Sequence, residues 1–318
     1  MQTENTPPRL VIVVPCYNEE AVLTETNKRL TGLLGELTAK SKIASSSFVA
    51  YVDDGSKDAT WPLICQLQQE GSQVRGVKLA HNAGHQNALM AGMESFKTEA
   101  DAIVTIDADL QDDVNAIAAM VDSYLEGADI VYGVRKERQT DTVFKRTTAL
   151  AFYKLMAAMG TDTVYNHADY RLMSRRAVEA LCEYPERNLF LRGLVPLLGF
   201  TTKSVYYDRA ERFAGESKYP FGKMLAFALD GITSFSIKPI TVIFVVGLCC
   251  FVVGLVVLAW GIYSYIRGSV VPGWTSLLVS LWLIGGVVIM SLGCIGEYVG
   301  KIYVEVKHRP RYHIEKIV

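Results

Sequence analysis

Ile103-Val104-Thr105-Ile106-Asp107-Ala108-Asp109-Leu110-Gln111 is a run of β-branched, apolar residues that ends abruptly in two carboxylates. The run reads as a buried strand. Side chains alternate faces along a strand, so Asp107 and Asp109 point the same way if the extended conformation holds to the end. Two like charges aimed at one point repel unless something cationic sits between them. Mg2+ and Mn2+ take oxygen ligands, and Mg2+ commonly uses one or two carboxylates together with substrate phosphates. Two readings are open from this stretch alone. One is a divalent cation holding a diphosphate at the carboxyl end of a strand. The other is a solvated strand-to-helix turn in which Asp109 or Asp112 caps the next helix.

Upstream, three more apolar strands precede it: Arg9 to Pro15, Phe48 to Val52 and Val74 to Leu79. Helical segments separate them. Asn18 is placed to cap the first, whose opening turn holds Glu19 and Glu20. Thr60 to Gln69 and Gly84 to Phe96 read as the next two. This alternation is the signature of a mostly parallel sheet with helices on both faces. Ligands of such sheets bind beyond the carboxyl ends of the strands. The polar clusters sit there: Tyr17-Asn18-Glu19, Asp53-Asp54-Gly55-Ser56, His81-Asn82 and Asp107-Ala108-Asp109. Downstream, Ile130 to Val134 is a strand ending in Arg135, and Thr142 to Met159 reads as a helix with Lys145 and Arg146 near its start. Ser174 is a helix cap, Leu189 to Leu198 a short apolar helix, and Thr201 to Tyr207 an outer strand.

The chain has 318 residues, half of them hydrophobic, and a net charge of −1. That balance gives no global field for nucleic acid, so no nucleic-acid partner is expected. Met1 to Arg9 is polar with no apolar run, so no secretory leader is expected there. The six cysteines show neither CxxC spacing nor a metal-ligand pattern and read as reduced packing residues.

The last quarter changes character. In Tyr219 to Ser236, Phe221, Leu225, Leu229, Ile232 and Phe235 form one helical stripe flanked by Lys218, Lys223 and Lys238, as in a helix lying in the membrane interface. Pro239 to Ile266 and Val270 to Gly296 contain no charged residue, and each exceeds the ~20 residues needed to cross a bilayer. Lys301, Lys307, Arg309 and Arg311 follow. The positive-inside bias then puts both termini in the cytoplasm and makes the spans a hairpin. The expected domains are residues 1–210, a loop and interfacial helix over 211–238, two spans over 239–300 and a basic tail over 301–318. A soluble diphosphate site tethered to a membrane suits one soluble and one lipid substrate.

The motifs, taken together, are recognisable. Val14-Pro15-Cys16-Tyr17-Asn18-Glu19-Glu20, Val52-Asp53-Asp54-Gly55-Ser56-Lys57-Asp58, His81-Asn82-Ala83-Gly84-His85-Gln86, Asp107-Ala108-Asp109-Leu110-Gln111, Asp169-Tyr170-Arg171-Leu172 and Arg212-Phe213-Ala214-Gly215-Glu216-Ser217-Lys218-Tyr219 occur in this order. In that order and spacing, followed by a two-span hairpin, the chain resembles the polyprenyl-phosphate glycosyltransferases of glycosyltransferase family 2. That group contains dolichyl-phosphate mannose synthase and the bactoprenol glucosyltransferases. Phe227 to Ile232 looks most like the latter branch.

The resemblance implies an α/β GT-A domain, a nucleotide-sugar donor such as UDP-glucose, a polyprenyl phosphate acceptor and Mg2+ or Mn2+. It also implies a multi-pass protein of the bacterial plasma membrane, with the catalytic domain cytoplasmic, and a homo-oligomer, a tetramer by analogy. By motif, Pro15, Tyr17, Glu19 and Asp54 would contact the nucleotide, and Asp107, Asp109 and Gln111 would surround metal and diphosphate. Asp169 matches the position proposed as catalytic base. Arg135, Arg146, Arg212, Ser217 and Lys218 fall where the acceptor phosphate is expected. Where relatives often carry Arg-Asn-Phe-Gly, this chain has His81-Asn82-Ala83-Gly84, which replaces a permanent cation with a titratable one. A processive polysaccharide synthase would carry a Gln-x-x-Arg-Trp motif and further spans, which are not found here.

Overall fold

The computed structural model describes residues 6–136, 167–187, 189–208 and 273–318, with some positions between 240 and 267. The expected helix over 142–159, the interfacial helix and most of the first span fall outside the described residues. The rest falls into two compact units. One holds the sheet together with Arg309–Val318; the other contains a long apolar helix.

The strands are β1 (Leu10–Cys16), β2 (Phe48–Asp53), β3 (Val74–Leu79), β4 (Ala102–Thr105), β5 (Ile130–Arg135), β6 (His167–Ser174), β7 (Thr202–Tyr207) and β8 (Ile314–Ile317). They form one eight-stranded sheet in the order β7-β5-β6-β4-β1-β2-β3-β8. Strands β1, β2, β3 and β4 run parallel, as the alternation of elements requires. Every residue of β1, β2 and β4 is buried, as in a sheet covered on both faces. Each fully buried Val, Ile or Leu side chain is worth roughly 1.5–3 kcal/mol, so these strands are the energetic centre.

Three helices precede β4: α1 (Leu23–Ala39), α2 (Thr60–Glu70) and α3 (His85–Phe96). Helix α3 lies directly on β1 and β2 through Gly92, where a Cβ would stand 2.4 Å from Val13 Cγ1 and 2.8 Å from Val52 Cγ2. Three further helices are α4 (Ala116–Leu125), α5 (Arg175–Cys182) and α6 (Leu191–Leu197). Ser174 caps α5, its side chain accepting from Ala177 N at 3.3 Å. Asn18 does not cap α1. That helix starts later, and Asn18 adopts φ 56° while its Oδ1 accepts from Lys57 N at 2.8 Å. Nor do Asp109 or Asp112 cap α4, whose N-cap is Asn115.

Strand β6 is inserted antiparallel between β4 and β5. After helix α7 (Trp274–Val306) the chain returns to the first unit, and β8 pairs antiparallel with β3. Its backbone is satisfied by that partner, with Gly76 and Val318 exchanging N–H···O bonds of 2.9 Å. Helix α7 has 33 residues, about 50 Å at 1.5 Å per residue. Its part Ile284–Val306 has mean hydropathy 1.5 and is long and apolar enough to cross a membrane. Among the described residues it is the one helix that is, so the two-helix hairpin itself is not shown.

Candidate active site

Strands β1, β2 and β4 lie side by side in parallel, with Cys16 beside Asp53 and Val13 beside Thr105. Their carboxyl ends therefore deliver Tyr17 to Glu19, Asp54, and Asp107 to Asp109 to one rim. There Tyr17, Glu19, Asp54, Asp107 and Asp109 line a cleft of about 320 Å³ with Pro15, Cys16, Asn82, Gly84, His85, Ala88 and Ala108.

The rim is laced by backbone-to-side-chain bonds. Asp54 is 3% exposed, and its two oxygens accept from Ala83 N at 2.6 Å and Gly84 N at 3.0 Å. Gly55, at φ +68°, lets the two turns touch, because a Cβ there would lie 2.7 Å from His81 C and Asn82 N. Thr60 Oγ1 accepts from Glu19 N at 2.9 Å, and Ser56 Oγ accepts from Asn18 N at 3.0 Å.

The extended conformation stops at Thr105, so simple strand alternation does not orient the two aspartates. The chain turns instead, with Leu110 at φ 57°. A bulky residue in that region costs of order 1–3 kcal/mol. The turn is held by Thr26 Oγ1 of α1, which donates to Ala108 O at 2.8 Å, and by Gln111 N, which donates to Asp109 Oδ1 at 3.1 Å. Both carboxylates still face the cleft. Desolvation pushes the Asp107 carboxyl up to about 6; His85 opposes the rise, while Asp112, Asp169 and Asp109 add to it.

His85 Nε2 stands 3.5 Å from Asp107 Oδ1 and 3.8 Å from Asp169 Oδ2. Asp169 is held by Arg171 Nη2 at 2.6 Å and Arg192 Nη2 at 3.2 Å. Burial by itself would raise the Asp169 carboxyl, but Arg192, Arg171 and His85 outweigh it and hold the group well below the usual carboxylate range. Thr105 Oγ1 donates to Asp169 O at 2.6 Å and fixes this part of β6 to β4.

Asp107 and Asp109 offer the oxygen donors that a hard divalent cation takes, and burial, with Asp112, Asp169 and Asp109 adding to it against His85, disfavours an ionised Asp107 without a further cation. Among the described residues, no group of three His, Cys, Asp or Glu side chains is arranged to hold an ion by itself. An ion here would complete its shell with phosphate oxygens and water.

The sequence profile of glycosyl transferase family 2 matches residues 11–182, which includes all of this rim. The chain belongs to glycosyltransferase family 2. It is 50% identical over 97% of its length to an uncharacterised glycosyltransferase of Bacillus subtilis (strain 168), covering 91% of that protein. It is 39% identical to the SfII prophage-derived bactoprenol glucosyl transferase of Shigella flexneri, covering 97% of this chain and 98% of that one. It is 37% identical to a prophage bactoprenol glucosyl transferase homolog of Escherichia coli (strain K12), over 97% of this chain and 99% of that one.

Within this family 2 domain, Pro15, Tyr17, Glu19, Asp54, Asp107 and Asp109 come together in the cleft. Gln111 does not line it; its side chain is buried and its backbone braces Asp109. Asp169 stands one imidazole away. Arg135 is bound by its neighbours: its Nη2 lies 3.0 Å from Asp112, itself 1% exposed, and its Nε donates to Tyr207 OH at 3.2 Å. Arg146, Arg212, Ser217 and Lys218 lie outside the described residues. His85 and Arg192 are at this site without an assigned role in the sequence motifs, and Arg192 lies in the otherwise apolar α6. A charged residue inside that short apolar run was the available signal.

Proposed function

We propose that this protein transfers glucose from UDP-glucose to a polyprenyl phosphate such as undecaprenyl phosphate, with inversion, at the cytoplasmic face of a bacterial plasma membrane. The product is a lipid-linked sugar for glycosylating cell-surface polymers. The observation that carries this reading is the convergence of Asp107 and Asp109 with Tyr17, Glu19 and Asp54 at one parallel-strand rim. Near-full-length identity of 39% to a bactoprenol glucosyl transferase supports the sugar and the acceptor. Long apolar stretches in the last quarter support a multi-pass anchor, with helix α7 supplying one span.

Pro15, Tyr17, Glu19 and Asp54 hold the nucleotide in this scheme, and Asp107 and Asp109 hold the cation, with Gln111 bracing them. A bound Mg2+ or Mn2+ would supply charge stabilisation for the leaving diphosphate, which is commonly the largest catalytic contribution. A phosphate oxygen of the acceptor forms the new bond to the anomeric carbon as the bond to the diphosphate oxygen breaks, and the electron pair leaves with UDP. A phosphate monoester has its second pKa near ~6, so the nucleophile is already largely dianionic at neutral pH. No base is then needed. Asp169, kept ionised by its arginines, serves as a counter-ion.

The test is a donor panel of UDP-glucose, UDP-galactose, UDP-N-acetylglucosamine and GDP-mannose with a polyprenyl phosphate, scored as labelled lipid. UDP-glucose is expected to label the lipid most strongly. Absence of transfer from every donor would sink the reading.

A further inference from the structure

The turn between β3 and α3 supplies part of the cleft wall. Asn82, Gly84 and His85 line the cleft, and the N–H groups of Ala83 and Gly84 are held by Asp54. The two elements that this turn joins are gripped by consecutive residues of the C-terminal tail. His313 O accepts from Ala80 N at 2.9 Å, which carries the β3–β8 ladder one residue past the end of β3. Tyr312 OH donates to Glu94 Oε2 of α3. Arg311 Nε donates to Glu186 O at 2.9 Å and its Nη2 donates to Tyr184 O, which ties the tail to the segment after α5.

The tail adds little to the core. All four residues of β8 are exposed, so the apolar area they remove from water is small. Its grip is polar and shaped. At Gly76 a Cβ would stand 2.9 Å from Val318 Cγ2, so glycine leaves room for the end of the chain. Lys78 Nζ meets Glu315 at 2.9 Å where the β3–β8 register shifts. Burial, and then the Glu94 carboxylate, push the Tyr312 hydroxyl pKa up, so the phenol stays protonated and remains the donor. A guanidinium suits Arg311 because its several N–H groups can reach two carbonyls of an irregular segment at once.

From this geometry we infer that Arg311 and Tyr312 are positioning residues for the nucleotide cleft. Neither lines it. They hold β3 and α3 in the relation that sets the turn carrying Asn82, Gly84 and His85, and so act through that turn. The inference rests on the proposed reading that this cleft takes a nucleotide.

The test uses full-length, detergent-solubilised protein and the variants Tyr312→Phe, Arg311→Lys and the double variant Arg311→Ala/Tyr312→Phe. Lys316→Ala, a change of an exposed side chain in β8, controls for alteration of the tail as such. UDP binding is measured by titration calorimetry in the presence of Mn2+, and thermal midpoints are recorded alongside. The double variant is expected to weaken UDP binding about tenfold, because small displacements of binding groups are costly. Tyr312→Phe and Arg311→Lys, which each keep part of the grip, are expected to fall between, and Lys316→Ala to match the wild type. In steady-state transfer the KM for UDP-glucose should rise while that for undecaprenyl phosphate stays within about twofold. Amide hydrogen exchange over residues 80–88 should quicken in the double variant. A lowered thermal midpoint with unchanged UDP affinity would make the tail purely structural and overturn the inference. Unchanged exchange over residues 80–88 also overturns it, as does a parallel rise in both KM values. A wild-type protein that binds no UDP overturns the nucleotide reading of the cleft, and this inference with it.

Discussion

Asp107 and Asp169 flank the same imidazole, 3.5 and 3.8 Å from its Nε2, yet their electrostatics are opposite. Burial pushes Asp107 up to about 6, with His85 opposing the rise and the neighbouring carboxylates adding to it. Asp169 sits between two arginines and is held below the ordinary range. The difference teaches how one small site separates two tasks. The uncompensated side is suited to receive a cation with a diphosphate. The compensated side is neutralised in advance, its carboxylate paired with Arg171 and Arg192.

The comparison can be broken in several ways. The largest effect is expected at the uncompensated side. Asp107→Ala and Asp109→Ala each remove a cation ligand and should lower transfer by about a thousandfold or more, measured as labelled lipid per minute. Next is the clamp. Asp169→Asn leaves the buried Arg171 without its anionic partner, which costs about 3 kcal/mol where a buried pair is broken. Thermal denaturation should show a lower midpoint, and the residual activity should not gain the pH profile of a lost base.

A third effect concerns pH. Asp107 must lose its proton before it can bind a cation, and its carboxyl is raised to about 6. Mn2+ affinity, followed by titration calorimetry, should be steady above that pH and fall as the pH drops through it, approaching about tenfold per unit. Asp107→Asn should flatten that dependence. The smallest effect is expected from Thr26→Val, which keeps the shape of a side chain only 1% exposed but removes the bond to Ala108 O. The loss, about 1 kcal/mol, should appear as Mn2+ affinity weakened several-fold.

Much of this was legible because the decisive signals are local. The apolar runs of β1, β2 and β4 end in polar clusters, and a parallel sheet carries such ends to one rim. Ser174 was legible as a cap for the same reason. What escaped depends on distant partners. Asn18 has a cap-forming side chain, but the loop at Lys57 claims it. Strand β8 has four residues and exists through its pairing with β3, a partner more than 230 positions away. Arg135 was legible as a cation at the end of β5, but its bonds to Asp112 and Tyr207 were not, because those partners lie 23 and 72 positions away. Arg192 lies far from any motif and meets Asp169 only through the packing of α6 on β6.

The central claim is that Asp107 and Asp109 together hold the cation that serves a departing nucleoside diphosphate. Its most direct test is transfer of labelled glucose from UDP-glucose to undecaprenyl phosphate by purified full-length protein, wild type against Asp109→Ala, with Mn2+ supplied or chelated. Labelled lipid is expected only from the wild type with metal present. Near-normal turnover by Asp109→Ala with the metal chelated would contradict the account.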